Sequence, residues 1–246
     1  MTTRIFLAGA TGVIGRSLIP LLRAAGHTIT GATRTTEGEA KLKTQGVNPV
    51  VVDVFDRDAL ERAVVEAAPD VVIHQLTDLA AGIDSQAPEQ AMKRNARLRR
   101  EGTANLADAA RAAGAKRLIA QSIAWAYAPK DAPFRETDPL DIHAQGARAI
   151  SICEGVVPLE STVLDQREFV GIVLRYGQFY GPGTWTAEPA GSAPVHVDAA
   201  AYAAFLAIDH GGRGAYNIAD PGGAVAIEKA VADLAWRHDF RLAESG

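Results

Sequence analysis

A glycine-spaced run, Gly9-Ala10-Thr11-Gly12-Val13-Ile14-Gly15, stands between an apolar segment, Arg4–Ala8, and a segment of helical periodicity. The chemistry such spacing serves is the gripping of a pyrophosphate. Glycines permit the tight turn, let the backbone approach the anion and let the helix pack on the strand, while the first free helix N–H groups face the charge. A plain strand–helix turn uses glycines too, but the flanking strand and amphipathic helix favour the dinucleotide reading. Roughly 20 residues further on, an NAD site usually carries a carboxylate for the ribose 2′-hydroxyl. Here the chain has Ala32-Thr33-Arg34-Thr35 instead. A guanidinium at that place can hold a 2′-phosphate through two N–H groups, which favours NADP(H), with NAD as the other possibility. The competing reading of Arg34 is a solvated surface cation. Asp53, followed by Val54, is placed either to reach an adenine edge or to cap the next helix.

The elements that must position these groups follow from the apolar rhythm. Short β-branched runs at Arg4–Ala8, Thr28–Ala32, Pro49–Val54, Val71–Gln75, Leu118–Gln121 and Gly171–Leu174 read as strands. Between them, Val13–Ala25, Asp58–Ala68 and Glu89–Ala113 read as helices, closed by Gly26, Pro69 and Gly114. The alternation predicts βαβ units around a parallel sheet. Residues 128–146 hold three prolines and several acids and read as an irregular loop. The tail offers helices at Asp198–Ile208 and Ile227–Trp236 and a short strand at Tyr216–Ile218. The expectation is one α/β domain over residues 1–246, a Rossmann-type doubly wound parallel sheet, with a small C-terminal substrate-binding cap from about residue 177 onward.

Composition narrows the partners. The 246 residues are 48% apolar and 22% charged, enough for a sizeable core. Lys and Arg total 25 against 29 Asp and Glu, a net charge of −4, so no basic field exists to hold nucleic acid or an anionic membrane. No apolar run suits a membrane span. The N-terminus reads as the mature start of a cytoplasmic protein. Cys153 is the only cysteine, so no intrachain disulfide forms. The six histidines show no ligand spacing with Cys or carboxylates, so no metal is expected. The expected partner is a small-molecule substrate, and the chain is a monomer or homodimer.

Two later stretches complete a resemblance. Leu174-Arg175-Tyr176-Gly177-Gln178-Phe179-Tyr180-Gly181-Pro182-Gly183 follows the sixth strand, and His196-Val197-Asp198 is followed by Gly214-Ala215-Tyr216-Asn217-Ile218. With the Gly9–Gly15 loop and Asp53-Val54, these resemble the extended or atypical short-chain dehydrogenases/reductases, the NAD-dependent epimerase/dehydratase family. The resemblance implies a coenzyme across the carboxyl ends of the strands. It implies that Gln75, Leu76 and Thr77 line its path, that Gln121 and Ser122 lie beside the nicotinamide, and that Tyr176 and Gly177 close over the carboxamide. Asn95 matches an asparagine that braces this region in the family, or is a simple helix hydrogen-bonder.

The chain departs from the family at its chemistry. Most members carry Tyr-x-x-x-Lys plus Ser or Thr, the lysine lowering the phenol's pKa for proton exchange. Here none of the six lysines has a tyrosine four residues before it. Aligned on Glu160, Ile152 and Val156 stand at the tyrosine and lysine positions, and Ile123 stands at the serine position. Gly155 and Pro158 are expected to disturb that helix. Ser122, Tyr127, His143 and Tyr180 are the candidates to replace the missing proton donor, each with a packing or solvent role as its alternative. His74 reads as a packed, satisfied residue. The favoured function is an NADP(H)-dependent oxidoreductase acting on a small carbonyl or enone. A redox-neutral isomerase, dehydratase or cyclase and a non-catalytic NADP-binding sensor are the alternatives.

Overall fold

The computed structural model describes residues 2–78 and 88–243. Strand β1 (Arg4–Ala8) leads to α1 (Val13–Ala24), β2 (Thr28–Thr33), α2 (Thr36–Thr44), β3 (Asn48–Val51), α3 (Arg57–Ala67) and β4 (Val71–His74). A long helical passage follows: α4 (Pro88–Arg97), a π turn (Leu98–Gly102) and α5 (Thr103–Ala112), which ends before β5 (Arg117–Ile123). An irregular stretch precedes α6 (Gly146–Ser151), a second π turn (Ile152–Val156), α7 (Val157–Leu164) and β6 (Val170–Tyr176). The remaining elements are β7 (Gln178–Tyr180), β8 (Pro194–His196), α8 (Val197–Leu206), β9 (Gly214–Ile218) and α9 (Glu228–Leu234).

Seven strands form one parallel sheet in the order β3-β2-β1-β4-β5-β6-β9. From β1 the chain steps outward to β2 and β3, then returns to lay β4 on β1's other side. That reversal opens a crevice at the carboxyl ends of β1 and β4, where sheets of this kind bind ligands. The architecture is the Rossmann-type α/β fold.

Both faces of the sheet are covered, and the strands show it residue by residue. Along β1, Ile5 and Leu7 enter the core under α1 and α8, while Phe6 and Ala8 enter the one under α3, α5 and α7. Side chains alternate across a strand, so a doubly covered strand is apolar throughout rather than alternating with polar residues. Helix α1 presents Ile14, Leu18, Ile19 and Leu22 to the first core at helical spacing. Helices α3, α5 and α7 present Leu60, Val64, Leu106, Leu159 and Val163 to the second.

Three local features differ from the sequence expectation. Strand β3 stops at Val51 instead of reaching Val54, because Asp53 Oδ1 accepts from the Phe55 amide at 3.0 Å and turns the chain. Helix α2 was not anticipated. It buries only Gly38 and Leu42 and is held outside by Lys41–Glu37 and Lys43–Glu39 pairs at 2.6 Å, so no apolar period marks it. The helix expected over Glu89–Ala113 is interrupted by the first π turn. The passage holding Gly155 and Pro158 is disturbed as expected, by the second π turn over Ile152–Val156, and then continues as α7 with Pro158 in its first turn.

The end of the chain also divides its duties. Strands β7 and β8 form a separate two-stranded parallel sheet beside the crevice. Strand β9 instead completes the main sheet, and α8 packs in the core with α1. The cap expected from about residue 177 to 246 therefore shares its length with the main body. No helix among the described residues is long and apolar enough to cross a membrane.

Candidate coenzyme and reaction site

The glycine run makes the turn from β1 into α1. Gly9 adopts φ +89°, a conformation that penalises any Cβ, and a Cβ there would meet the Gln75 carbonyl oxygen at 2.6 Å. At Gly15 a Cβ would collide with the carbonyls of Gly9 and Ala10. The loop is thus clamped between the end of β4 and the first turn of α1. Gly12 is the N-cap of α1, no side chain caps it, and no acid lies in the first turn. The leading amides of α1 are left for an external acceptor, with Thr11 and Gly12 exposed and Val13 half-buried beside them. Ile14 and Gly15 are buried.

At the end of β2, Thr33 is buried and its Oγ1 accepts weakly from the Thr35 amide at 3.4 Å. Thr35 in turn caps α2, accepting from the Gly38 amide at 3.0 Å. Arg34 is exposed between them and makes no ion pair among the described residues. After β3, Asp53 is exposed and does not cap α3. That cap is Asp56, which accepts from the Ala59 amide at 3.0 Å. Val54 is buried, and its carbonyl accepts from Asn105 Nδ2 at 2.9 Å.

Gln75, Leu76 and Thr77 follow β4. The Gln75 Nε2 reaches the Tyr176 hydroxyl at 3.4 Å, while its buried Oε1 has no partner. Gln121 Nε2 donates to the Leu76 carbonyl at 2.6 Å, tying the end of β5 to the same loop. Thr77 is exposed. Asn95 Oδ1 accepts from the Asp78 amide at 3.0 Å and so braces this segment from α4. Burial raises the Tyr176 phenol's pKa above its usual value. Gly177 donates its amide to the Ile218 carbonyl at 2.9 Å, and a Cβ there would collide with the Ala193 carbonyl. His74 is fully buried, its Nδ1 accepting from the Leu76 amide at 3.2 Å and its Nε2 lying 2.9 Å from Thr103 Oγ1.

The candidate proton donors are placed as follows. Ser122 donates its hydroxyl to Glu160 Oε1 at 2.7 Å inside the core. Tyr127 donates to Asn217 Oδ1 and accepts from Arg175 Nη1 at 2.9 Å, and burial raises its pKa. Its ring stacks on Phe134 with centroids 5.3 Å apart. Tyr180 donates to Asp220 Oδ2 at 2.8 Å and accepts from Arg241 Nη2 at 3.3 Å, and burial and then Asp220 raise its pKa. His143 is exposed in the loop before α6. The three hydroxyls thus each have a protein acceptor; Ser122 and Tyr127 meet the same Arg175–Glu160 pair, and Tyr180 and His143 make no hydrogen bond to that pair among the described residues.

What does converge is apolar. Ile123 at the end of β5 and Ile152 and Val156 on the second π turn pack together with Ala126 in one buried cluster, flanked by Leu140 and Val157. Tertiary folding thus brings together three residues that lie 29 to 33 positions apart in pairs with Ile123. Elsewhere, the segment after β7 is tied to α1 by a bond from Arg16 Nη2 to the Gly183 carbonyl at 3.4 Å. A groove of about 400 Å³ runs along that segment, lined by Gly181, Pro182, Trp185, Thr186 and His196 among others. His196 Nδ1 accepts from the Asp198 amide at 3.2 Å, and burial lowers its pKa. Sequence reading passed over Arg16 and His196 as site residues, because their contacts are 167 and 15 residues distant or made through backbone atoms.

A dinucleotide fits this chain: backbone collisions exclude a Cβ at Gly9 and Gly15, uncapped amides open α1, and a buried amide oxygen at Gln75 lacks a partner. Among solved structures, UDP-glucose 4-epimerase of Thermotoga maritima with UDP-glucose superposes with a TM-score of 0.76 at 18% identity, covering 96% of this chain and 94% of that one. The Bordetella bronchiseptica enzyme WbmG in complex with NAD and UDP gives 0.73 at 19%, over 98% and 91%. Among characterised relatives, the 3-diazoavenalumate denitrifying reductase of a Streptomyces species is 40% identical over 237 residues, 88% of this chain and 76% of that protein. The dTDP-4-dehydrorhamnose reductase of Streptomyces griseus is 29% identical over 181 residues, 73% and 51%. The model of the NAD dependent epimerase/dehydratase family matches residues 5–201. The chain is an enzyme of the NAD(P)-dependent oxidoreductase or epimerase/dehydratase kind, and it belongs to the NAD-dependent epimerase/dehydratase family.

Proposed function

We propose that this protein is an NADP(H)-dependent reductase that delivers hydride to a small organic acceptor without taking a proton from a protein side chain. The observation that carries the reading is the apolar cluster of Ile123, Ile152 and Val156, which fills the positions where the family resemblance puts Ser, Tyr and Lys. General acid catalysis is worth about 10²–10⁴-fold where a proton must move, so its loss fits an acceptor that needs none.

The coenzyme, when bound, supplies the hydride. The amides opening α1 at Val13 and Ile14 hold its pyrophosphate, with Gly9, Thr11, Gly12 and Gly15 shaping the turn. Arg34 pairs with the 2′-phosphate, beside Thr33. Asp53 and Val54 border the adenine, Gln75, Leu76 and Thr77 the path between the two nucleosides, and Gln121, Tyr176 and Gly177 the carboxamide end. Ile123, Ile152 and Val156 exclude water from the acceptor's face.

The acceptor class that suits a dry, acid-free wall is an arenediazonium or diazo-arene. Hydride uptake by an arenediazonium yields the arene and dinitrogen, Ar–N₂⁺ + H⁻ → Ar–H + N₂, with no proton drawn from the protein. The 40%-identical relative is named as a denitrifying reductase of a diazo compound, which supports the same choice. The test is anaerobic NADPH oxidation with a substituted arenediazonium, an aryl aldehyde and an enone, each read against an enzyme-free blank. Enzyme-dependent NADPH loss with the diazonium, near-independent of pH and faster than with NADH, is expected. Turnover confined to the aldehyde with a steep pH profile, or no oxidation with any acceptor, overturns the proposal.

A further inference from the structure

Arg99 is a charged side chain only 6% exposed, carried by the π turn between α4 and α5. Its one side-chain hydrogen bond among the described residues runs from Nη1 to Ser151 Oγ at 3.5 Å, the outer limit for such a bond. A guanidinium offers five N–H donors, so most of this buried head is unspent. Burial lowers its pKa to about 10, with Glu160 acting the other way, and it stays cationic near neutrality.

Among the described residues, the neighbouring charges do not neutralise it. Glu160 already accepts from Ser122 Oγ at 2.7 Å and from Arg175 Nε and Nη2 at 3.0 and 2.7 Å. The buried set Arg99, Arg175 and Glu160 therefore carries one cation in excess. His74, nearby, is kept neutral by burial, with the charge of Arg99 adding to that effect. A buried cation is costly unless a partner pairs with it.

Placement points to what completes it. The two π turns cross at Gly155, where a Cβ would lie 3.1 Å from Ala96 Cα and 3.3 Å from Arg99 Cδ, so the glycine gives the arginine stem its passage. Ser151, which the guanidinium reaches, is half-buried and immediately precedes Ile152 in the chain, one residue from the cluster of Ile123, Ile152 and Val156. Single π turns inside helices recur at functional sites, and here two of them face each other across one arginine.

We infer that Arg99 is a specificity residue that binds a carboxylate on the substrate, whose two oxygens match the guanidinium fork, and holds the acceptor flat against the apolar wall. The inference rests on the assignment of that wall to the reacting site. Arg99 would then select anionic aryl acids over their neutral analogues.

The experiment is calorimetric titration of the NADP⁺-saturated protein with cinnamate and with cinnamamide, probes of equal shape and different charge. Wild-type protein is expected to prefer cinnamate by about ten-fold or more. R99Q is expected to lose that preference while its cinnamamide and NADP⁺ affinities stay within about two-fold of wild type. R99K is expected to keep part of it, as a point charge without the fork. Equal wild-type affinities, no cinnamate binding, or a preference undiminished in R99Q overturns the inference. Should R99Q lose its fold, R99K decides, and a full wild-type preference there overturns it. The titration uses oxidised coenzyme and needs no turnover, so a failed hydride assay and a failed carboxylate preference are separate results.

Discussion

Ser122 and Glu160 are joined by a 2.7 Å hydrogen bond that links the end of β5 to α7. Glu160 also takes the two-pronged pair from Arg175 on β6, so one carboxylate ties three elements together. Such a group is spent on architecture. Ser122→Ala is expected to cost about 1–2 kcal/mol in denaturant unfolding while leaving hydride transfer within about two-fold. Arg175→Met, which strands a buried carboxylate, is expected to cost about 3–5 kcal/mol by the same measurement.

Gly15 packs its Cα against the carbonyls of Gly9 and Ala10, and neither can move without breaking the turn into α1. Gly15→Ala is expected to destabilise the fold by about 2 kcal/mol or more. Because the displaced amides are those proposed to hold the pyrophosphate, calorimetric binding of NADP⁺ and NAD⁺ should both be lost. Retained binding of either would place the coenzyme elsewhere.

Arg34 has no ion-pair partner among the described residues, which leaves its fork available to the 2′-phosphate proposed for the coenzyme. Arg34→Ser is expected to weaken NADP⁺ at least about ten-fold and to leave NAD⁺ within about two-fold. Equal loss for both coenzymes would assign Arg34 to the shared part of the molecule instead.

His74 is buried and neutral, its pKa lowered from 6.5 to about 4 by loss of solvent and then by Arg99. The unfolded chain takes up a proton as pH falls through about 6.5, and the folded one does so only near 4. This contribution to stability is complete above about pH 6.5 and is lost between there and pH 4, in all about 3 kcal/mol. Thermal melts across that window should show the slope, and His74→Asn should flatten it. An unchanged slope in the variant would mean that carboxylates alone set the acid limit.

The sequence by itself determined the sheet and the glycine turn into α1. Continuous apolar runs such as Ile5–Ala8 and Val71–Ile73 announce strands buried on both faces, and glycines before an amphipathic helix announce the turn, because these signals are local. It also showed that no lysine stands four residues after a tyrosine, since that is a matter of spacing. Helix α2 escaped, since its stability rests on an N-cap and surface ion pairs and not on an apolar stripe. Only the tertiary structure decided that Ile123 meets Ile152 and Val156, that Ser122 and Tyr127 spend their hydroxyls on Glu160 and Asn217, and that Arg99 lies buried with its charge in excess. Those facts depend on which distant segments share one interior, where burial and the count of partners set each group's charge and reach, and no spacing along the chain encodes that count.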